Sequence, residues 1–236
     1  MLQKVGDAGG LDDPLVAATL EKLHRRARND RWVFLRALPS VSLAAVTGRG
    51  AFQALEPHLK NAYIPVTPDQ GRLLYMTARV IEARLIVEFG TSFGISTLHL
   101  AAALRDNGGG RLIGSEFEPS KLKRARANLA AAGMSDLVEI REGDALETLA
   151  CDLPEPIDFV LLDGAKNLYP PVLSLLENRL RAGALIVADN ADSSPEYLAR
   201  VRSVVHGYVS VPFADEVELS MRLNGAASAN GPARHA

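Results

Sequence analysis

Acidic and amide side chains recur where apolar runs end. Leu85 to Phe89 carries Glu88, Leu112 to Phe117 carries Glu116, and Leu137 to Arg141 is followed by Gly143-Asp144-Ala145. Ile157 to Leu162 is followed by Asp163, and Ala184 to Ala188 by Asp189-Asn190. Each run reads as a strand of a parallel sheet, and ligands of such sheets sit beyond the carboxyl ends of the strands. One such acid is ordinarily a helix cap or a turn former. Recurrence at strand after strand points to a ligand site. If their strands are neighbours, Asp163, Asp189 and Asn190 offer three hard oxygens, short of a full shell. That suits Mg²⁺, or Ca²⁺ or Mn²⁺, keeping water or substrate oxygens in the remaining positions. On spacing alone, two helix caps explain them equally well. Lys166, three residues past Asp163, takes a proton if its loop encloses a desolvated pocket beside a cation; most such lysines are merely solvated. Glu116 is placed to accept the ribose hydroxyls of a nucleoside, and Asp144 with Ala145 to meet an adenine edge.

The elements that must position these residues follow in order. Gly90-Thr91-Ser92-Phe93-Gly94 reads as a glycine turn between the first strand and a helix from Ser96 to Leu104. Such a turn lets a ligand approach the backbone and aims the free N–H groups of the helix start at it. Gly90 and Gly94 do not complete G-x-G-x-x-G, which disfavours a nicotinamide dinucleotide and an NAD-type oxidoreductase. Thr67-Pro68-Asp69-Gln70 is a capping box with proline at the first helical position, so a helix from Pro68 to about Glu82 delivers the chain into the central strand. Further helices are expected over Pro119 to Ala132, near Ala145 to Ala150, and over Tyr169 to Leu180 and Pro195 to Val205, with a hairpin over Tyr208 to Phe213 and Val217 to Leu223. Alternating strands and helices predict one α/β domain with helices on both faces. A leading helix starts after Asp13-Pro14 and runs into the basic stretch His24 to Arg28, best read as a solvated face.

Composition narrows the partners. The chain has 236 residues, 47% hydrophobic and 23% charged, with a formal net charge of -2. It lacks the basic excess of a nucleic-acid binder. A single cysteine, Cys151, excludes an internal disulfide and fits a reducing cytoplasm. No apolar run is long enough to span a bilayer, and Met1 to Gly10 lacks the apolar core of a signal peptide. The five histidines are scattered and read as surface or packing residues.

Val87-Glu88-Phe89-Gly90-Thr91-Ser92-Phe93-Gly94, Gly143-Asp144-Ala145, Asp163-Gly164-Ala165-Lys166 with Tyr169, and Ala188-Asp189-Asn190 together resemble one family. It is the cation-dependent, S-adenosylmethionine-dependent O-methyltransferases, which include catechol and caffeoyl-CoA O-methyltransferase. The resemblance implies a class I methyltransferase fold, a Rossmann-like three-layer αβα sandwich whose seven-stranded, mostly parallel sheet has one antiparallel strand. It implies an N-terminal helical extension over 1–62 that helps form the acceptor pocket and a homodimer contact. A methyltransferase domain over 63–223 and a flexible tail over 224–236 follow. By motif position, Val66, Glu88, Gly90, Thr91 and Ser96 fall to the methionine part of S-adenosylmethionine, with Ser92 and Asp163 in the same cofactor set. Glu116 falls to the ribose, and Phe117, Asp144 and Ala145 to the adenine. Asp163, Asp189 and Asn190 match the family's metal ligands and Lys166 its catalytic lysine. The implied acceptor is a small hydroxylated aromatic. Gly164 and Ala165 are smaller than their counterparts in the catechol enzyme, implying a more open wall. A cofactor-binding regulatory protein without catalysis is the alternative from another class, and the intact metal trio with Lys166 argues against it. Asn167-Leu168-Tyr169-Pro170-Pro171 has the wrong order for the loop of amino-methylating enzymes on nucleic acid.

Overall fold

The computed structural model describes residues 9–28, 66–213 and 216–223. After a short 3₁₀ turn at Gly10–Asp12, residues 14–28 form helix α1. Helix α2 is Pro68–Val80, with the capping box formed as its sequence predicts. Then come β1 Leu85–Phe89, α3 Ile95–Asp106, β2 Arg111–Glu116, α4 Pro119–Ala131, β3 Val138–Glu142, α5 Ala145–Thr148 and β4 Ile157–Leu162. They are followed by α6 Tyr169–Leu176, β5 Leu180–Ala188, α7 Pro195–Val201, β6 Tyr208–Phe213 and β7 Val217–Arg222.

The seven strands form one sheet in the order β3-β2-β1-β4-β5-β7-β6. Pairings from β3 through β5 are parallel, whereas β7 runs antiparallel to both β5 and β6. The predicted hairpin is present, with β7 inserted beside β5 and β6 at the edge. Chain order reverses direction across the sheet between β1 and β4, and a parallel sheet opens its ligand crevice at such a switch.

Two layers cover the sheet. Val87, Phe89, Val160, Leu162 and Ile186 face α5, α6 and α7, where Tyr169, Leu173 and Tyr197 are buried. Ile86, Leu112, Phe159 and Leu161 face α2 and α3. Helix α1 extends that second layer: Val16, Leu20, Leu23 and Ala27 are buried in one cluster with Phe93, Leu98, Leu122 and Leu129. Fully burying a side chain such as Leu23 contributes about 2 kcal/mol. Among the described residues no helix is long and apolar enough to cross a membrane.

Three boundaries differ from the sequence reading by more than two residues. Helix α6 stops at Leu176 instead of Leu180, a 3₁₀ turn takes Glu177–Arg179, and β5 starts at Leu180 instead of Ala184. Arg181 and Gly183, the latter with φ +75°, look like a turn in sequence. The sheet absorbs them through a register shift between Ile157 and Phe159 of β4. Helix α7 ends at Val201, and Val204–His206 is a separate 3₁₀ turn. The expected tail over 224–236 and most of the N-terminal extension, 1–8 and 29–62, lie outside the described residues, as do 63–65 of the expected methyltransferase domain.

Candidate active site

The turn after β1 is built by close backbone packing. Gly90 has φ +99°, and a Cβ on it would lie 2.6 Å from the carbonyl oxygen of Asp163. Glycine therefore brings the tips of β1 and β4 together across the switch point. Asp163 N–H donates to the Phe89 carbonyl at 2.8 Å across the same seam. Gly90 and Thr91 N–H both donate to the Ser115 carbonyl at 3.1 Å, Ser92 N–H to Glu116 Oε2 at 2.7 Å, and Gly94 N–H to the Thr91 carbonyl at 2.9 Å. The neighbouring strand tip and the turn itself take up these four N–H groups, none of which belongs to the helix start at Ile95 whose free N–H groups the sequence aims at a ligand. Ser92 sits at φ +51°, an uncommon conformation for a residue with a side chain. Gly94 caps α3 at φ +84°.

Glu88 is fully buried in β1 on the α3 side. Its carboxylate accepts the hydroxyls of Ser96 at 2.6 Å, Thr97 at 2.6 Å and Thr91 at 3.0 Å. Burial pushes its pKa up, while those three donors pull the other way. The structure thus ties Glu88, Thr91 and Ser96 into one network beneath the turn. At the tip of β2, Glu116 is held by Ser92 N–H on one oxygen and Glu118 N–H, at 2.8 Å, on the other. A carboxylate has about four acceptor positions, so a lone pair on each oxygen stays open to a diol. Phe117, 76% exposed, presents a flat apolar surface beside it. Asp144 caps α5, its Oδ1 accepting Leu146 N–H at 2.8 Å. Ala145 is buried at the start of that helix, and Val66 is buried beside the Phe93 cluster.

Across the seam lie the residues read as cation ligands. Leu162 pairs with Ala188 in register, and Asp189 N–H donates to the Leu162 carbonyl at 3.0 Å, so Asp163 and Asp189 leave neighbouring strand tips side by side. Lys166 Nζ lies 3.4 Å from Asp163 Oδ1 and donates to the Tyr169 hydroxyl at 2.7 Å. The Tyr169 oxygen is 2.7 Å from the Leu162 carbonyl and 2.8 Å from the Asp189 carbonyl, which anchors the lysine to both strand tips. Desolvation raises the Asp163 pKa, with Lys166 opposing and Asp189 adding to the rise. Desolvation, with Asp163 and Asp189 adding to it, also raises that of Tyr169. Asn190, at φ +48°, turns its amide nitrogen to Glu216, leaving its oxygen to accept or ligate. Among the described residues no three His, Cys, Asp or Glu side chains form a metal group. The trio here is two carboxylates and an amide oxygen. Two part-buried carboxylates on neighbouring strand tips, opposed by one lysine, are a donor set that fits a hard divalent ion.

Sequence reasoning missed Gln70 and Glu216. Gln70 donates from Nε2 to Asp189 Oδ1 at 3.1 Å; its place in the capping box was legible, its second contact was not. The open wall expected at Gly164 is also corrected. A Cβ there would lie 2.4 Å from the Phe89 ring, so that ring fills the space.

A family model described as a methyltransferase domain matches residues 87–191. The chain is 38% identical over 130 residues to a catechol O-methyltransferase of Niastella koreensis, covering 54% of this chain and 58% of that one. It is 37% identical over 127 residues to a catechol O-methyltransferase of Mycobacterium tuberculosis, covering 54% and 57%. The chain thus spans less than two thirds of the length of these curated relatives. The O-methyltransferase TomG of Streptomyces achromogenes, involved in tomaymycin synthesis and solved in complex with SAM, matches with a TM-score of 0.58 and 30% identity, covering 68% of this chain and 82% of that one. The chain belongs to the S-adenosylmethionine-dependent O-methyltransferase family. The methyltransferase match runs from Val87, just before Glu88, to Ala191, just after Asn190. It therefore takes in the chain from the last three residues of β1 through β5, with Glu88, Glu116, Asp163 and Asp189 among them, and leaves Val66 outside. Membership in this methyltransferase family does not favour the NAD-type oxidoreductase alternative.

Proposed function

We propose that the chain transfers the methyl group of S-adenosylmethionine to a hydroxyl of a small, catechol-like aromatic, assisted by a divalent cation and Lys166. The observation that carries this reading is the pair of adjacent strand tips, from which Asp163 and Asp189 leave side by side with Lys166 tethered next to Asp163. Relatives named as catechol O-methyltransferases and a neighbour solved with SAM support the same chemistry.

S-adenosylmethionine, when bound, supplies an electrophilic sulfonium methyl, so alignment and an anionic acceptor oxygen are what remain to be provided. Glu116 takes the ribose hydroxyls with its open lone pairs, and Phe117, Asp144 and Ala145 border the adenine. Val66, Gly90, Thr91, Ser92, Ser96 and Asp163 surround the methionine end, with Glu88 holding two of their hydroxyls from below. Asp163, Asp189 and Asn190 would hold the cation, Mg²⁺ or else Ca²⁺ or Mn²⁺, and its charge would stabilise the ionised form of a vicinal diol. Lys166, steadied at Nζ by the Tyr169 hydroxyl, receives or shields the departing proton. In this reading residues 1–62 help form the acceptor pocket and a homodimer contact, and the chain works in the cytoplasm on a small molecule, not on nucleic acid or at a membrane.

The test is transfer of a labelled methyl group to a panel of catechols, monohydric analogues and carrier-linked thioesters in the presence of Mg²⁺. Product on vicinal diols and none on monohydric analogues is expected. No transfer to any hydroxylated aromatic overturns the reading.

A further inference from the structure

Gln70 uses both ends of one amide. Its Oε1 accepts the Thr67 N–H at 2.7 Å, which completes the capping box of α2. Its Nε2 donates to Asp189 Oδ1 at 3.1 Å, spanning 119 positions of sequence. Chemistry fixes which way the amide faces: a backbone N–H can only donate and a carboxylate can only accept, so oxygen must meet the first and nitrogen the second. The start of α2 is itself pinned. A Cβ on Gly71 would lie 2.4 Å from the ring of His99 in α3, and that buried ring is fixed by a 2.9 Å contact between Nδ1 and the Ile95 carbonyl. Glycine at 71 therefore lets α2 sit close enough to α3 for the preceding side chain, Gln70, to reach the strand tip.

We propose that Gln70 is a positioning residue for Asp189. Its amide occupies one carboxylate oxygen and so fixes the plane in which the other is offered to a cation. This inference rests on the cation site proposed above. It gives the chain entering from residue 66 a direct hydrogen-bonded link to that site. Groups that orient a metal ligand typically change affinity by about 10–100-fold when removed.

The experiment measures Mn²⁺ binding to the full chain by electron paramagnetic resonance, alongside thermal unfolding without cation. Gln70→Met keeps a side chain of similar length without an amide, and Thr67→Ala weakens the same capping box while leaving the Gln70 to Asp189 bond in place. Gln70→Met is expected to bind Mn²⁺ about tenfold more weakly than the parent chain. Thr67→Ala is expected to keep the parent affinity while losing thermal stability as Gln70→Met does. An affinity for Gln70→Met within about twofold of the parent chain, short of the effect of losing an orienting group, overturns the proposal. Equal weakening by both substitutions overturns it too, because the effect then belongs to the helix start. A parent chain that binds no Mn²⁺ removes the cation site itself, an outcome distinct from the loss of Gln70's role.

Discussion

Glu88 stands on β1 and Asp163 just past the end of the adjacent parallel strand β4, and both are desolvated enough to have raised pKa values. Their surroundings treat them in opposite ways. Three hydroxyls converge on Glu88, so the protein itself answers its hydrogen-bonding needs. Asp163 faces a second carboxylate, Asp189, and meets Lys166 only at 3.4 Å. The first carboxylate is a finished part of the scaffold. The second is left short of positive charge, as the proposed cation site requires. Asp144 is a third case: an acid whose role in the fold is an ordinary helix cap.

Giving both halves the same chemical change sharpens the contrast most. Asp189→Asn keeps an acceptor for Gln70 but removes a charge, and cation-dependent transfer is expected to fall on the order of a hundredfold or more. Glu88→Gln also exchanges a carboxylate for an amide, yet its hydroxyl partners can accept as well as donate. Mn²⁺ affinity in that variant is expected to match the parent chain. Loss of cation binding in Glu88→Gln, or its retention in Asp189→Asn, breaks the comparison. Both are read by metal titration and initial rates.

His99 gives a pH test outside the site. Burial holds its pKa down to about 4, with His24 and Arg72 adding to the fall and the Ile95 carbonyl opposing it. A base with a depressed folded-state pKa stabilises the fold fully above its unfolded value and loses that contribution as pH drops toward the folded value. Between pH 7 and pH 5 the loss is about 2 kcal/mol. Urea unfolding at the two pH values should show it, and His99→Gln should remove that part of the difference. An equal pH dependence in the variant contradicts this account of His99.

The smallest effect belongs to Asp144. Asp144→Ala is expected to cost about 1 kcal/mol of stability through the lost cap, and Asp144→Asn to restore most of it. Thermal unfolding of the two variants decides. A larger loss in both would mean that the charge at Asp144 matters beyond capping.

The sequence reading succeeded where a rule acts locally. The runs ending at Glu88, Glu116 and Asp163 are strands because buried parallel strands are continuously apolar, and Thr67 with Gln70 caps a helix because capping spans only three residues. Asp163 and Asp189 could be placed side by side because their strands are neighbours in this sheet order. Contacts made by folding remote segments together left no local trace. Gln70 reaching Asp189, Phe89 filling the space at Gly164, and Ser115 taking the N–H groups of Gly90 and Thr91 belong to this class. The start of β5 was misplaced for a related reason. Arg181 looks like a turn residue, but it extends to Asp158 and the Ile81 carbonyl, partners that only the assembled sheet supplies.

The most direct test of the cation's part in catalysis is methyl transfer from labelled S-adenosylmethionine to catechol after exhaustive chelation of the full chain, followed by addition of Mg²⁺. The account predicts background turnover in the chelated protein and recovery on addition. Undiminished turnover without any divalent ion would contradict it.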